Sequence, residues 1–158
     1  MYPNIIVTAA NSQYFNSLRQ LIYSFYSTYE YKQSQMVCYD IGLGSQELDS
    51  LEQFIKKIGV PVEIRRFDFD AYPDIVRLEH KTYSWKPIII NEVLNEKKCN
   101  LLWMDSANII LKNLHKIWKE IEITGQYLPI SGSGTLERWT HSETLERLKV
   151  PNSWKKNR

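Results

Sequence analysis

The sequence predicts an α/β fold, a doubly wound and mainly parallel sheet, on three observations. Short apolar runs alternate with segments of helical period in the order strand, helix, strand, helix, strand. The run Leu101-Leu102-Trp103-Met104 carries apolar residues at both parities, the pattern of a strand covered on both faces. That run leads straight into Asp105, and open α/β sheets hold their ligands outside the carboxyl ends of their strands.

Taken in order, Asn4-Ile5-Ile6-Val7-Thr8-Ala9-Ala10 is the first strand, and Asn11-Ser12 supplies a helix N-cap. Phe15, Leu18, Leu21, Ile22, Phe25 and Tyr29 then recur at helical spacing. Gln35 to Tyr39 is the second strand, closed by Asp40. The turn Ile41-Gly42-Leu43-Gly44-Ser45 opens a helix that carries Leu48, Leu51, Phe54, Ile55 and Ile58 inward, and Gly59 stops it as a C′ glycine. Val60 to Ile64 is the third strand, its proline near the start where an edge strand tolerates it. Right-handed crossovers give a local order 3-2-1, with the fourth strand returning beside the first. Thr8 to Asn11 and Asp105 then flank the point where the strand order reverses.

Phe67 to His80 breaks the rhythm. It is rich in Asp and aromatic residues and reads as a long surface loop, and loops of that length in compact domains tend to be functional. Tyr83-Ser84-Trp85-Lys86-Pro87 opens a helix, with Ser84 or Trp85 before it and Pro87 at an early helical position. Beyond Asp105, Ile109-Ile110-Leu111 reads as extended, Leu114 to Ile121 as a short helix ended by Gly125, and Tyr127 to Ile130 as another strand. Ser131 to Gly134 reads as flexible and Leu136 to Val150 as helical. Residues 1–150 are read as one domain, with 151–158 as a basic tail.

Composition narrows the function. The chain has 158 residues, 43% apolar and 24% charged, enough for one core and not the balance of a disordered chain. A net charge of +2 with dispersed Lys and Arg argues against nucleic acid as a partner. The two cysteines, Cys38 and Cys99, have no CxxC spacing and suggest neither zinc nor a disulfide framework. No run reaches the length of a membrane span and no signal peptide is visible, so the expected compartment is the cytoplasm; the Golgi lumen is the alternative if the N-terminus is incomplete. Ten Tyr and five Trp supply either core mass or a surface that stacks on bases and sugars.

Each chemical signal has a plainer alternative. Asp105 at a strand end could hold a divalent cation bridging nucleotide phosphates, with Asn108 as a further oxygen ligand, or it could be a loop aspartate. Asp40 could meet a ribose hydroxyl or cap a helix. Gly42-Leu43-Gly44 lacks the third glycine of the dinucleotide fingerprint and follows the second strand, so a tight turn is its reading. His80, Lys81 and Lys86 bracket Tyr83 and Trp85, a set suited to a diphosphate and a flat base, or else solvated surface charge. His115 reads as surface, and His141 as a helix N-terminal residue or a ligand. A phosphoacceptor role for Asp105 needs acids at the end of the first strand, which ends in Thr8-Ala9-Ala10.

Val7-Thr8-Ala9-Ala10-Asn11, Tyr39-Asp40-Ile41-Gly42-Leu43, Tyr83-Ser84-Trp85-Lys86-Pro87 and Leu102-Trp103-Met104-Asp105-Ser106, in that order and spacing, resemble the GT-A-fold nucleotide-sugar glycosyltransferases. The resemblance is to a hexosyltransferase-like branch related to the glycogenin and galactosyltransferase group. It covers nearly the whole chain. It implies transfer of a sugar from a UDP-sugar or similar donor to an acceptor hydroxyl on a glycan, protein or lipid, assisted by Mn²⁺ or Mg²⁺. It also implies that this chain is the N-terminal, donor-binding part of a longer domain. Carried over, Thr8, Ala9 and Asn11 line the nucleotide, Asp40 lies near the base or ribose, and Tyr83, Lys86 and Ser106 contact the donor. Asp105 takes the place of the first acid of the Asp-x-Asp metal motif. Ala107 stands where the second acid would be, with Asn108 next. An alternative function is a GT-A-like binding domain that has lost its metal site.

Overall fold

The computed structural model describes residues 3–129 and 134–156. The chain forms two compact units, residues 1–123 and 124–158.

The first unit is built on four parallel strands in the order β3-β2-β1-β4. They are β1 (Asn4–Ala10), β2 (Gln35–Asp40), β3 (Val62–Arg66) and β4 (Asn100–Trp103). The helices of this unit are α1 (Phe15–Ser27), α2 (Ser45–Ile58), α3 (Trp85–Lys97) and α4 (His115–Thr124). In register, Ile6 lies between Met36 of β2 and Leu102 of β4. Strand side chains alternate between faces, so Ile6 and Ala10 enter one layer with Leu18, Leu21 and Phe25 of α1, Leu51 of α2 and Trp118 of α4. Ile5, Val7 and Ala9 enter the other, with Trp85, Ile89 and Val93 of α3 and with Phe67 and Val76. Both faces of β1 are therefore covered, which is why its run from Ile5 to Ala10 is apolar at every position but Thr8. Truncating a fully buried side chain such as Leu18 to Ala costs about 2–5 kcal/mol.

The expected stop signal ends α2. Gly59 sits at φ +68, the left-handed conformation a C′ glycine adopts without strain, and its N–H bonds the Ile55 carbonyl at 2.9 Å. Burial pushes the Cys38 thiol up to about 12, with Asp40 adding to the shift, so it is an inert core residue.

Two polar ties fix the elements around the end of β4. Glu30, wholly buried, accepts from the Leu114 N–H and the Trp118 indole, each at 2.7 Å, and from Ser34 and Gln33. Ser24 Oγ accepts from the Ile110 N–H at 2.9 Å. The chain leaving β4 is thereby held against α1. On the other face, Arg65 of β3 grips Glu96 of α3 through two bonds of 2.6 and 2.9 Å, which lowers the Glu96 carboxyl to about 2. Glu92 of α3 accepts from the hydroxyls of Tyr39 and Tyr72.

Several elements differ from expectation. β4 is half-buried along its length rather than covered on both faces, because it lies at the edge of the described sheet. Ile109-Ile110-Leu111, read as extended, joins no strand ladder among the described residues: Ile110 is buried in the core while Ile109 and Leu111 are exposed. β3 begins at Val62, since Pro61 has no N–H to enter the ladder, although its carbonyl still accepts from Met36. α1 begins at Phe15 after a 3₁₀ turn over Ser12–Tyr14, and Asn11 makes no capping bond. The 67–80 loop contains three 3₁₀ turns, pinned by Tyr72 stacking on Phe67 and by Arg77 and His80 pairing with Asp74.

The second unit holds α5 (Leu136–Trp139), α6 (Ser142–Arg147) and α7 (Asn152–Lys155), with α5 packed on α7. The single helix expected over 136–150 is broken because Thr140 and His141 are extended; β-branched and polar residues there compete poorly for helix. Tyr127 to Pro129 has no regular structure, and the rest of that expected strand and of the 131–134 stretch, save Gly134, lies outside the described residues, as do 157–158 of the tail. No helix among the described residues is long and apolar enough to cross a membrane.

Candidate functional site

The chain steps outward from β1 through β2 to β3, then returns through α3 to β4 on β1's other side. The order reverses at β1, and a crevice opens between the strand ends there. It is a cavity of about 590 Å³. Ala9, Ala10 and Asn11 from the end of β1 line it, as do Asp105, Ser106 and Ala107 from the end of β4. Trp85 and Lys86 enter from the start of α3, Lys81 and Tyr83 from the segment just before it, and Leu78 from the long loop.

Lys86 is the most constrained cation in this site. Its ammonium lies 5.2, 5.6 and 5.5 Å from the ring centroids of Tyr83, Trp85 and Trp103, within cation–π range of all three. It donates to Asp105 Oδ1 at 2.6 Å, and the Trp103 indole N–H donates to the same oxygen at 2.9 Å. Burial opposes ionisation of Asp105, but the Lys86 and Trp103 bonds outweigh it and hold the carboxyl below its ordinary value. Asp105 is thus a carboxylate at neutral pH, with one oxygen engaged twice. Its side chain is 59% exposed, so the ion pair is screened and contributes little to stability.

The backbone around this cluster is unusual. Lys81 and Tyr83 both have φ +54, a left-handed conformation that non-glycine residues rarely adopt. Two such residues within three positions at a cavity wall are local strain that the surrounding packing sustains. Across the cavity, Asn11 Oδ1 is buried with no hydrogen-bond partner.

Of the residues singled out from sequence, Ala9, Asn11, Tyr83, Lys86, Asp105 and Ser106 line this one cavity. Thr8, Asp40 and Asn108 do not. Thr8 is fully buried, its hydroxyl also without a partner. Asp40 is buried, and its Oδ1 accepts from the N–H groups of Gly42 and Leu43 at 2.8 and 2.6 Å, closing the turn into α2. Asn108 is exposed, its N–H bonding the Asp105 carbonyl at 2.9 Å. His80 turns to Asp74 at 2.6 Å, and His115 to Asn113. Gln13, Tyr14 and Leu78 also line the cavity, and nothing in their local sequence marks them. Lys81 carried one signal, the aromatic residues beside it.

The donor set does not compose a divalent-cation site. Asp105 is the only acid among the described lining residues, and among the described residues no three His, Cys, Asp or Glu side chains converge. Magnesium and its relatives require several oxygen ligands in fixed geometry. Here one carboxylate oxygen already holds an ammonium, which would repel a second cation.

The same fold recurs in solved glycosyltransferases. The structure of the galactosyltransferase LgtC in complex with donor and acceptor sugar analogs aligns at TM-score 0.61 and 16% identity, over 94% of this chain and 52% of that one. An active-site mutant of LgtC aligns at TM-score 0.52 and 18% identity, over 85% and 48%. The bifunctional glycosyltransferase WbbM in its apo form aligns at 0.55 and 12%, over 99% and 30%. The chain spans about half or less of the length of these structures. Its α/β Rossmann-like fold is that of these GT-A glycosyltransferases. No curated protein matches the chain. A family model described as a protein of unknown function, DUF1647, matches residues 2–91. As that match spans more than half of its residues, the chain belongs to the DUF1647 family.

Proposed function

We propose that this chain is the donor-binding part of a glycosyltransferase that moves a sugar from a nucleoside-diphosphate donor, a UDP-sugar foremost, to an acceptor hydroxyl. The observation that carries this reading is the cavity at the reversal of strand order, where aromatic rings, two lysines and an unpartnered buried amide oxygen meet. The rings suit a base or sugar face. Lys81 and Lys86 suit a diphosphate, and the Asn11 carboxamide suits an N–H or O–H of the donor. Ala9, Tyr83, Asp105 and Ser106 complete the proposed donor contacts, and Thr8 and Asp40, which do not line the cavity, support the strand ends behind them. In the reaction the acceptor oxygen bonds the anomeric carbon and loses its proton, while the diphosphate leaves with the electron pair of the broken bond. Lys86 would stabilise the charge that develops on that diphosphate.

The test is a melting-temperature panel of nucleotide sugars. A ligand at about 100 times its Kd adds about 2.7 kcal/mol to the folded state, so one member of the panel is expected to raise Tm by several degrees. A flat panel would count against the reading.

Two observations favour a second reading, a GT-A-like binding domain without catalysis: Ala107 stands where the resemblance expects an acid, and Asp105 is tied to Lys86. Release of free sugar or transfer product from a bound donor excludes it.

A further inference from the structure

Resting on the nucleotide reading of this cavity, we propose that the site binds a nucleoside diphosphate without a resident divalent cation, the Lys86 ammonium taking the cation's place beside the phosphates. Three observations meet here. Asp105, the one acid at the cavity wall among the described residues, already accepts at Oδ1 from Lys86 Nζ at 2.6 Å and from the Trp103 indole at 2.9 Å. No second acid lines the cavity among the described residues, and the position two residues on is Ala107. Two lysines, Lys81 and Lys86, line it instead, so the wall carries more positive than negative charge before any ion binds.

The geometry around Lys86 suits this task. A flexible lysine pays an entropic cost when it is fixed on a ligand, and here three rings and Asp105 already hold the ammonium. An ammonium has three N–H donors, and the bond to Asp105 accounts for one. Asp105 is in this view a positioning residue: it keeps Lys86 turned into the cavity and does not itself hold a metal.

Calorimetric titration of the wild-type protein with UDP, once in EDTA and once in Mn²⁺, tests the proposal without any variant. UDP is expected to bind in both buffers with affinities within about three-fold, roughly the range a weak or screened contact produces. Titration with Mn²⁺ alone, followed by its paramagnetic resonance signal, is expected to show no bound ion. Lys86→Gln, with its fold checked by circular dichroism and melting, is expected to weaken UDP by about ten-fold or more in both buffers, the loss of a charge-assisted bond. Lys86→Arg is expected to recover part of that loss. UDP binding that requires Mn²⁺, or Mn²⁺ bound by the protein alone and released by Asp105→Asn, would overturn the metal-free site while leaving the nucleotide reading intact. Unchanged UDP affinity in Lys86→Gln would overturn the role of the lysine. No binding of UDP, GDP or ADP in either buffer would overturn the nucleotide reading, and this proposal with it.

Discussion

Asp40 and Asp105 both end a parallel strand, yet the fold uses them in opposite ways. Asp40 closes β2 between two neighbouring strands, where the chain turns directly into α2; it is buried, and its oxygen accepts from the backbone N–H groups of Gly42 and Leu43. Asp105 follows β4, where the strand order has reversed, and it faces a cavity, with Lys86 and Trp103 as its partners. A carboxylate at a strand end therefore has no fixed role. Within a run of adjacent strands it shapes a turn, and at the reversal point it meets side chains and whatever enters the crevice.

The largest effect expected from this contrast is on stability. Asp40→Ala removes two charge-assisted bonds and strands two backbone N–H groups, so a loss of about 2–4 kcal/mol in urea unfolding is expected. Asp105→Ala removes a screened pair and should cost less than about 1 kcal/mol. Equal costs would break the distinction between turn and site. Gly42→Ala sharpens it: at φ +129 an alanine is strained by about 1–3 kcal/mol, and its Cβ would sit 3.5 Å from that of Asn11. The same unfolding series should show that loss.

A smaller effect concerns protonation. Asp105 is held below its ordinary value by Lys86 and Trp103 against the pull of burial. A depressed carboxyl contributes stability that is present above the unfolded-state value, about 3.9, and lost as pH falls through the folded one. Lys86→Ala should raise the Asp105 value in an NMR titration and shrink this acid dependence. Trp103→Phe should move it the same way by less, since one neutral donor is lost. The smallest effect is at Glu47, lowered by bonds from Ser12 and the Gly44 N–H. Ser12→Ala should return it part of the way to an ordinary glutamate. If instead Glu47 does not move, the tie between the β1–α1 and β2–α2 loops is weaker than its geometry suggests.

Much of the fold was legible in the sequence because its signals are local. Short apolar runs and period 3.6, the glycine at 59 and the proline at 87 each act within a few residues, and crossover handedness then fixes the order 3-2-1-4. The sequence also brought Asn11 and Asp105 toward one place, since strand ends are determined once the order is. Only the tertiary structure decided which polar groups became partners. Thr8 points into a core layer and Asp40 into its own turn, whereas Leu78 and Lys81 reach the cavity from a loop with no periodicity. It likewise decided that Asp105 meets an ammonium, because Lys86 lies nineteen residues away and comes within 2.6 Å only when α3 packs against β4. Local pattern determines where the chain bends; which charges meet depends on packing between elements distant in sequence, and no local pattern carries that information.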